Sequence, residues 1–243
     1  KAMDITSSEP TPTKICDDLR PYLSEMIEDI VKSNSDSIVM IDEAYIDFGG
    51  ESCLPLINKY ENLLVIQTFS KSRSMAGMRI GFAMGSEKLI KYMNDVKFSV
   101  NSYTMNTITQ LCGTESMKDE KYFNQTVNKI IATRERSKQR LSELGFKFTD
   151  SKSNFIFANP VTKPARYVFE ELKKRKIYVR YWNKPIICDY LRISIGTDEE
   201  MDKSIITIES EFDFTISSII STLSSTPVGA LGFGKIIPPF SCL

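Results

Sequence analysis

Short apolar runs alternate along the chain with segments in which apolar residues recur every three or four positions. Helical spacing over residues 21–32 predicts a helix, and the runs at 37–41, 63–68 and 79–84 predict short buried strands. Because helices or long loops separate these runs, the pattern favours an α/β fold in which both faces of the sheet are covered.

A second region follows with the same mixture of elements. Helices are predicted over 86–93, 106–117 and 120–144, and then come a strand (155–158), a helix (164–174) and two strands (177–181 and 191–195). We expect residues 1–140 to form part of a large domain with a mixed, mostly parallel sheet. Residues 141–209 are expected to form a smaller α/β domain. Residues 210–243 are expected to form an atypical tail, because their apolar residues follow neither the helical nor the strand periodicity.

Composition narrows the possible functions. Lys plus Arg equals Asp plus Glu at 31 each, so nothing suggests a nucleic-acid partner. No apolar run approaches the roughly 20 residues that cross a bilayer, so no membrane partner is expected. Five scattered cysteines without a CxxC pair indicate reduced thiols and a cytoplasmic protein.

The chain contains no histidine. Nucleophilic sites of the Ser-His-Asp and Cys-His types are therefore excluded, together with metal ions bound by imidazole, and we expect no metal site. Any general acid or base must be a lysine, tyrosine, cysteine, aspartate or glutamate.

The region between Ile41 and Phe82 concentrates residues that can do chemistry. It contains DEAY after the first strand, TFSK after the second, and AGMRIGF before the third. Each motif alone is ambiguous, since an acidic residue at a strand end is often a helix cap and a lone lysine usually lies on the surface. Ligands of α/β sheets do, however, bind at strand ends.

Together these motifs match the needs of pyridoxal 5'-phosphate. Its aldehyde bonds to a lysine amine, and its ring nitrogen needs a carboxylate that holds a proton there. Its ring oxygen needs a donor such as tyrosine, and its phosphate needs an arginine fork and small hydroxyl donors. The residues that can meet these needs are Lys71, Asp42, Tyr45, Arg79 and Ser70.

DEAYIDF followed by NLLVIQTFSKSRSMAGMRIGF resembles the class I and II aminotransferases of fold type I, and most of all the histidinol-phosphate aminotransferases. The resemblance implies that Lys71 bonds the cofactor, Asp42 contacts the ring nitrogen and Tyr45 the ring oxygen. Ser70 and Arg79 would bind the phosphate. Gly77 and Gly81 are expected where the backbone turns and packs tightly around the arginine.

The resemblance continues into the predicted small domain. It implies that Arg180, within IYVRY, binds a phosphate or carboxylate on the substrate's side chain, and that Arg192, within LRISIGT, binds the α-carboxylate. A planar guanidinium suits both anions. Without the upstream motifs, we would interpret Arg192 as the cross-strand partner of an acidic residue.

The resemblance covers residues from about 37 to 202. The family's Asn-Pro-Thr-Gly turn is replaced by EPTPTK, and its phosphate-binding loop and ring-stacking aromatic are not found in the sequence. We therefore expect a C-terminal portion with uncovered sheet edges that binds cofactor weakly by itself.

The implied reaction transfers an amino group between glutamate, which becomes 2-oxoglutarate, and a phosphorylated oxo compound, with imidazole-acetol phosphate and histidinol phosphate as the implied pair. The implied assembly is a homodimer. One alternative is a threonine-phosphate decarboxylase-like enzyme on the same fold. Another is a non-catalytic chain that pairs with a complete subunit.

Overall fold

The structure is a computed structural model that describes residues 23–224, and the side chains of residues 25–211. The chain divides into two compact units. The first contains the residues up to Ala132 together with Thr149–Asn154, and the second contains Thr133–Phe148 and the residues from Phe155 onward. The domain limits expected at 140 and 209 stay predictions, and residues 225–243 of the expected tail lie outside the described part.

The first unit combines three strands with helices. In chain order its elements are α1 (Leu23–Ser33), β1 (Val39–Asp42), β2 (Leu63–Thr68), β3 (Gly81–Gly85), α2 (Glu87–Val100), α3 (Thr107–Lys118) and the first half of α4 (Glu120–Glu143). Short helical turns occupy Ile46–Phe48, Leu54–Asn58 and Ala76–Met78.

The order and directions of the three strands position the site. β1 runs parallel to β2, with Asp42 opposite Ile66, and β2 runs antiparallel to β3, with Thr68 opposite Gly81. The carboxyl ends of β1 and β2 therefore meet the amino end of β3 at one edge of the sheet. All three predicted motifs lie at this edge.

One face of this sheet forms a core, and the other is partly open. Val31 of α1 packs with Leu63 and Val65 of β2, and all three are fully buried. On the opposite face of β1, Met40 is 59% exposed. The expectation that both faces would be covered is therefore wrong for β1, which is an outermost strand of the described sheet.

The second unit is built around an antiparallel sheet. Its elements are the second half of α4, β4 (Lys147–Phe148), β5 (Phe155–Asn159), α5 (Ala165–Lys174), β6 (Arg180–Tyr181), β7 (Leu191–Ser194) and α6 (Asp198–Ser224). The strand order is β4-β5-β7-β6. The inner face, with Ile156, Leu191 and Ile193, packs against apolar residues of α5 and α6. The mixed α/β architecture predicted from the sequence is thereby confirmed.

Helix α6 is the largest element that the sequence did not predict. It begins with Asp198, Glu199 and Glu200, whose charges suit the positive end of a helix dipole. Met201, Ile205 and Ile208 then follow at helical spacing and are all buried. The later Ser, Thr and Ile residues have poor helix propensity and obscured this pattern.

Among residues 23–224, no helix is both long and apolar enough to cross a membrane. The same residues contain no group of three or more cysteine or acidic side chains placed to bind a metal ion.

Candidate active site

Lys71 lies three residues beyond the end of β2, at the edge where the strand ends meet. Its side chain is half-buried, and its Nζ atom lies 5.5 Å from the centroid of the Tyr45 ring. Within the described part of the chain its amine has no recorded hydrogen bond or ion pair. The amine is therefore available to react with a ligand.

Asp42 and Tyr45 stand on the neighbouring strand end. Asp42 is the last residue of β1, and its exposed carboxylate accepts a hydrogen bond from the backbone N–H of Ala44 at 3.0 Å. This bond turns the chain, so that Tyr45 follows on the side of Lys71. The structure thus brings the predicted lysine and tyrosine together and places the aspartate at the same sheet edge.

Ser70 and Arg79 flank the same edge. The Thr68 hydroxyl donates to the Ser70 hydroxyl at 2.9 Å and accepts from the Ser70 backbone N–H at 3.1 Å. Arg79 is exposed and donates only to the Ala76 carbonyl at 3.0 Å among the described contacts. Its guanidinium keeps most of its donors available for an anion.

The backbone around Arg79 differs from the expectation. The left-handed conformation belongs to Arg79 itself, with φ at 56°, rather than to a glycine. A Cβ built on Gly77 would meet nothing within 4 Å, whereas one on Gly81 would lie 3.2 Å from the Gln67 carbonyl oxygen. Tight packing is therefore required at Gly81, and the expectation is wrong for Gly77.

Two carboxylates that the sequence reasoning did not single out fix the DEAYIDF segment. Glu43 is 6% exposed and accepts hydrogen bonds from the Ser52 hydroxyl, the Cys53 N–H and the Gln67 amide, at 2.8, 2.6 and 2.9 Å. Asp47 accepts a 2.5 Å hydrogen bond from the Ser72 hydroxyl. In the sequence, only their positions within the quoted motif DEAYIDF pointed to these two carboxylates.

Arg73 secures the other side of the lysine segment. Its guanidinium donates to the Ser116 carbonyl at 2.5 Å, lies 4.1 Å from the Phe123 ring centroid and 5.3 Å from that of Phe69. These contacts join the residues after Lys71 to α3 and α4. Arg73 is thus held by three protein groups, whereas Arg79 contacts the Ala76 carbonyl alone among the described contacts.

In the second unit, Arg180 and Arg192 lie directly opposite each other on β6 and β7. Facing like charges repel each other, so this placement requires an explanation. Arg192 also faces Phe157 of β5, and its buried Nε atom has no hydrogen-bond partner among residues 25–211. The acidic cross-strand partner considered for Arg192 is not present among the described residues.

Aromatic rings surround the two arginines. The Arg192 guanidinium lies 4.5 Å from the Phe155 ring centroid, and that of Arg180 lies 5.3 Å from Trp182. Phe157 stacks on Tyr190 at 4.7 Å. This outer face of the sheet combines two cations with apolar ring surfaces, which suits a ligand that carries two anionic groups. Trp182, the only tryptophan, was missed in the sequence.

Comparison with known proteins shows which family the chain resembles. The family model "Aminotransferase class I and II" matches residues 22–208. The chain is 54% identical over 179 residues to the histidinol-phosphate aminotransferase of Lactococcus lactis subsp. lactis (strain IL1403), covering 74% of this chain and 50% of that protein. The chain thus spans about half the length of the curated relatives it matches.

Solved structures of the same name share the fold. The histidinol-phosphate aminotransferase from Clostridium acetobutylicum has a TM-score of 0.71 at 21% identity, over 78% of this chain and 59% of that one. The enzyme from Sinorhizobium meliloti, solved in complex with pyridoxal-5'-phosphate, has a TM-score of 0.66 at 22% identity, over 78% of this chain and 53% of that one. The chain belongs to the class I and II aminotransferase family.

Proposed function

We propose that this chain carries part of the active site of a pyridoxal-phosphate-dependent transaminase of histidine biosynthesis. The reaction exchanges an amino group between glutamate and imidazole-acetol phosphate, giving 2-oxoglutarate and histidinol phosphate. The observation that carries the proposal is the Lys71 amine, which has no recorded polar partner and lies 5.5 Å from the Tyr45 ring at the sheet edge where β1 ends in Asp42.

The residues at this edge fit the cofactor. Lys71 offers an amine for its aldehyde, Asp42 an exposed carboxylate for its ring nitrogen, and Tyr45 a hydroxyl for its ring oxygen. Ser70 and Arg79 offer a hydroxyl and a guanidinium for its phosphate. When bound, pyridoxal phosphate supplies an electron sink that stabilises negative charge on the substrate's α-carbon.

The residues of the chain would divide the remaining work. The Lys71 amine would take the α-proton of the substrate as a general base. Asp42 would hold a proton at the ring nitrogen by its charge, which matters most as negative charge develops. Tyr45 would orient the ring through the ring oxygen.

The substrate class rests on the second unit and on the relatives. Arg192 would bind the α-carboxylate of glutamate and 2-oxoglutarate. Arg180 would bind either the second carboxylate of these two compounds or the phosphate of imidazole-acetol phosphate and histidinol phosphate, which carry no carboxylate. Two guanidinium groups on adjacent strands suit glutamate and 2-oxoglutarate, which carry two carboxylates each. The name histidinol-phosphate aminotransferase, shared by the matched relatives, supports the phosphorylated partner.

We further propose a homodimer that works in the cytoplasm. The family resemblance supports the dimer. The exposed apolar side chains of α2 and α3, such as Val96, Phe98 and Ile108, also support it because they would gain from burial. Among the described residues, Cys53, Cys112 and Cys188 form no disulfide bond, as is usual in a reducing compartment.

The proposal is tested by reduction with borohydride in the presence of pyridoxal phosphate. Reduction traps even a weakly bound cofactor as a stable amine on the lysine that it reaches. Peptide mass mapping should place the label on Lys71 in clear excess over the exposed Lys88. Lys71→Arg should abolish this preferred labelling, while Lys88→Arg should leave the amount of label on Lys71 unchanged. Labelling spread evenly over many lysines would refute the assignment.

A further inference from the structure

The segment that carries Tyr45 and the segment that carries Lys71 are joined by a direct side-chain contact. The Ser72 hydroxyl donates to the Asp47 carboxylate at 2.5 Å. Ser72 directly follows Lys71 and is 3% exposed, and Asp47 lies in the helical turn two residues after Tyr45. The bond therefore links the residue after Lys71 to the helical turn that follows Tyr45.

Each end of this bond is itself anchored. The turn Ile46–Phe48 is held by Phe48, which is fully buried, and ends at Gly49 in a left-handed conformation with φ at 107°. On the other side, the Lys71 carbonyl accepts from the Ser74 N–H at 3.2 Å, and Arg73 is bound to α3. The bond between Asp47 and Ser72 thus joins two rigid pieces of backbone.

The lysine side chain itself is not held by polar contacts. It has four methylene groups and correspondingly many rotamers, so the position of its amine depends on where the backbone of Lys71 is fixed. Displacing a reacting group by about 1 Å can slow a reaction by about 100-fold. A contact that sets the distance between Tyr45 and the lysine backbone can therefore control the reactivity of the amine.

We propose that Asp47 and Ser72 are positioning residues, which place Lys71 for attack on a cofactor held by Asp42 and Tyr45. The inference rests on the proposed function and adds two residues to its site. Neither residue touches the reacting atoms. A hydrogen bond to a charged acceptor is stronger than one between neutral groups, which suits it to this task.

The test compares the variants Asp47→Ala, Ser72→Ala and the double substitution with the unchanged 243-residue chain. Each is reduced with borohydride in the presence of pyridoxal phosphate, and the ratio of label on Lys71 to label on Lys88 is measured. We expect the ratio to fall roughly tenfold in each single variant, the scale of one charge-assisted hydrogen bond. The double variant should fall no further, because both substitutions remove the same bond.

Two controls separate positioning from stability. Asp47→Asn keeps an oxygen acceptor for the Ser72 hydroxyl, so its ratio should lie between those of the unchanged chain and Asp47→Ala. Thr133→Val removes a comparable hydroxyl-to-carboxylate bond, from Thr133 to Asp198 at 2.7 Å in the second unit. It should lower the midpoint of thermal unfolding without changing the labelling ratio.

The possible failures can be distinguished. A labelling ratio that stays unchanged in folded Asp47 and Ser72 variants, while the unchanged chain is labelled mainly on Lys71, overturns the positioning role alone. Additive losses in the double variant would also overturn it. Absence of any preference for Lys71 in the unchanged chain overturns the proposed function and this inference together.

Discussion

Glu43 carries a buried negative charge without a cationic partner among its contacts. Three neutral donors satisfy its oxygens, which offsets much of the cost of removing a carboxylate from water. Burial and this nearby charge raise the pKa of the Cys53 thiol. Cys53 is therefore a poor nucleophile near neutral pH, and its role is to pack in the core of the first unit.

A second carboxylate makes stability depend on pH. Tyr60 donates a 2.7 Å hydrogen bond to Glu28 of α1, and this bond, with smaller help from Lys32 and Lys59, lowers the pKa of Glu28 from its ordinary 4.5. Because the folded-state pKa lies below the unfolded one, the resulting stability is fully present above pH 4.5. It is lost as the pH falls through the lowered folded-state pKa.

We therefore predict that Tyr60→Phe lowers the free energy of unfolding at neutral pH, and that the loss shrinks as the medium becomes acidic. Urea unfolding at a series of pH values measures this difference. Tyr178→Phe serves as the control, since that ring is 75% exposed and has no recorded bond, and it should show no such dependence. A loss that is equal at acidic and neutral pH would contradict the assignment.

At the scale of residues, the sequence predicted which candidate site residues lie together, while their chemical roles stay predictions. Lys71, Asp42 and Tyr45 lie at one edge of the first sheet. Arg180 and Arg192 lie opposite each other in the sheet of the second unit. Asp47, Ser72 and Glu43 were missed because their importance lies in contacts with residues up to 25 positions away. Sequence spacing does not reveal such contacts.

At the scale of elements, β3 is held close to β2 by glycine. A Cβ on Gly85 would lie 2.9 Å from the Leu63 carbonyl oxygen and 3.1 Å from the Leu64 side chain. The first of these neighbours is backbone and cannot move aside without disturbing the strand pair. Only a residue without a side chain fits this position.

Gly85→Ala should accordingly lower the free energy of unfolding by about 1–3 kcal/mol, the usual cost of overpacking. Gly77→Ala is the matched control, because nothing lies within 4 Å of its Cβ, and it should be neutral or stabilise by up to about 1 kcal/mol. Chemical denaturation of both variants measures the difference. If Gly85→Ala proved as stable as Gly77→Ala, the close approach of β3 to β2 would be wrong.

Elements with strong local signals were predicted well. β2 has its predicted bounds because its apolar run is continuous and its first three residues are buried. β6 is shorter than predicted, since only Arg180 and Tyr181 pair with β7. Helix α6 was missed because tertiary burial of Met201, Ile205 and Ile208 stabilises a sequence of weak helix propensity.

At the scale of the whole chain, the open part of the first sheet is the main departure from a covered α/β fold. β1 pairs only with β2 in the described sheet, and Ile38 and Met40 are 60% and 59% exposed. An edge strand with exposed apolar side chains can pair with a strand of another chain through its open side. The fold class was predictable from periodicity, but the extent of cover was not, because it depends on what lies outside the strands themselves.

We predict that the chain self-associates and that Met40→Lys reduces this association, since a charge on an open strand opposes pairing between chains. Light scattering over a range of protein concentrations measures the effect. Ile186→Lys is the control: that side chain is 80% exposed but lies outside the strands, so its substitution should change little. Equal scattering from the unchanged chain and from Met40→Lys would contradict the role of β1.

The facing arginines of β6 and β7 have a thermodynamic consequence for the second unit. Arg180 and Arg192 repel each other when no anion is bound, so part of the energy of folding is used to hold them together. An anion bound there, as we propose, would remove that repulsion and would also stabilise the folded form by mass action. Ligand affinity and fold stability are thus linked quantities in this sheet. Any substitution that relieves the repulsion should both stabilise the sheet and weaken anion binding. Selection for stability alone would therefore reduce the affinity of this sheet for anions.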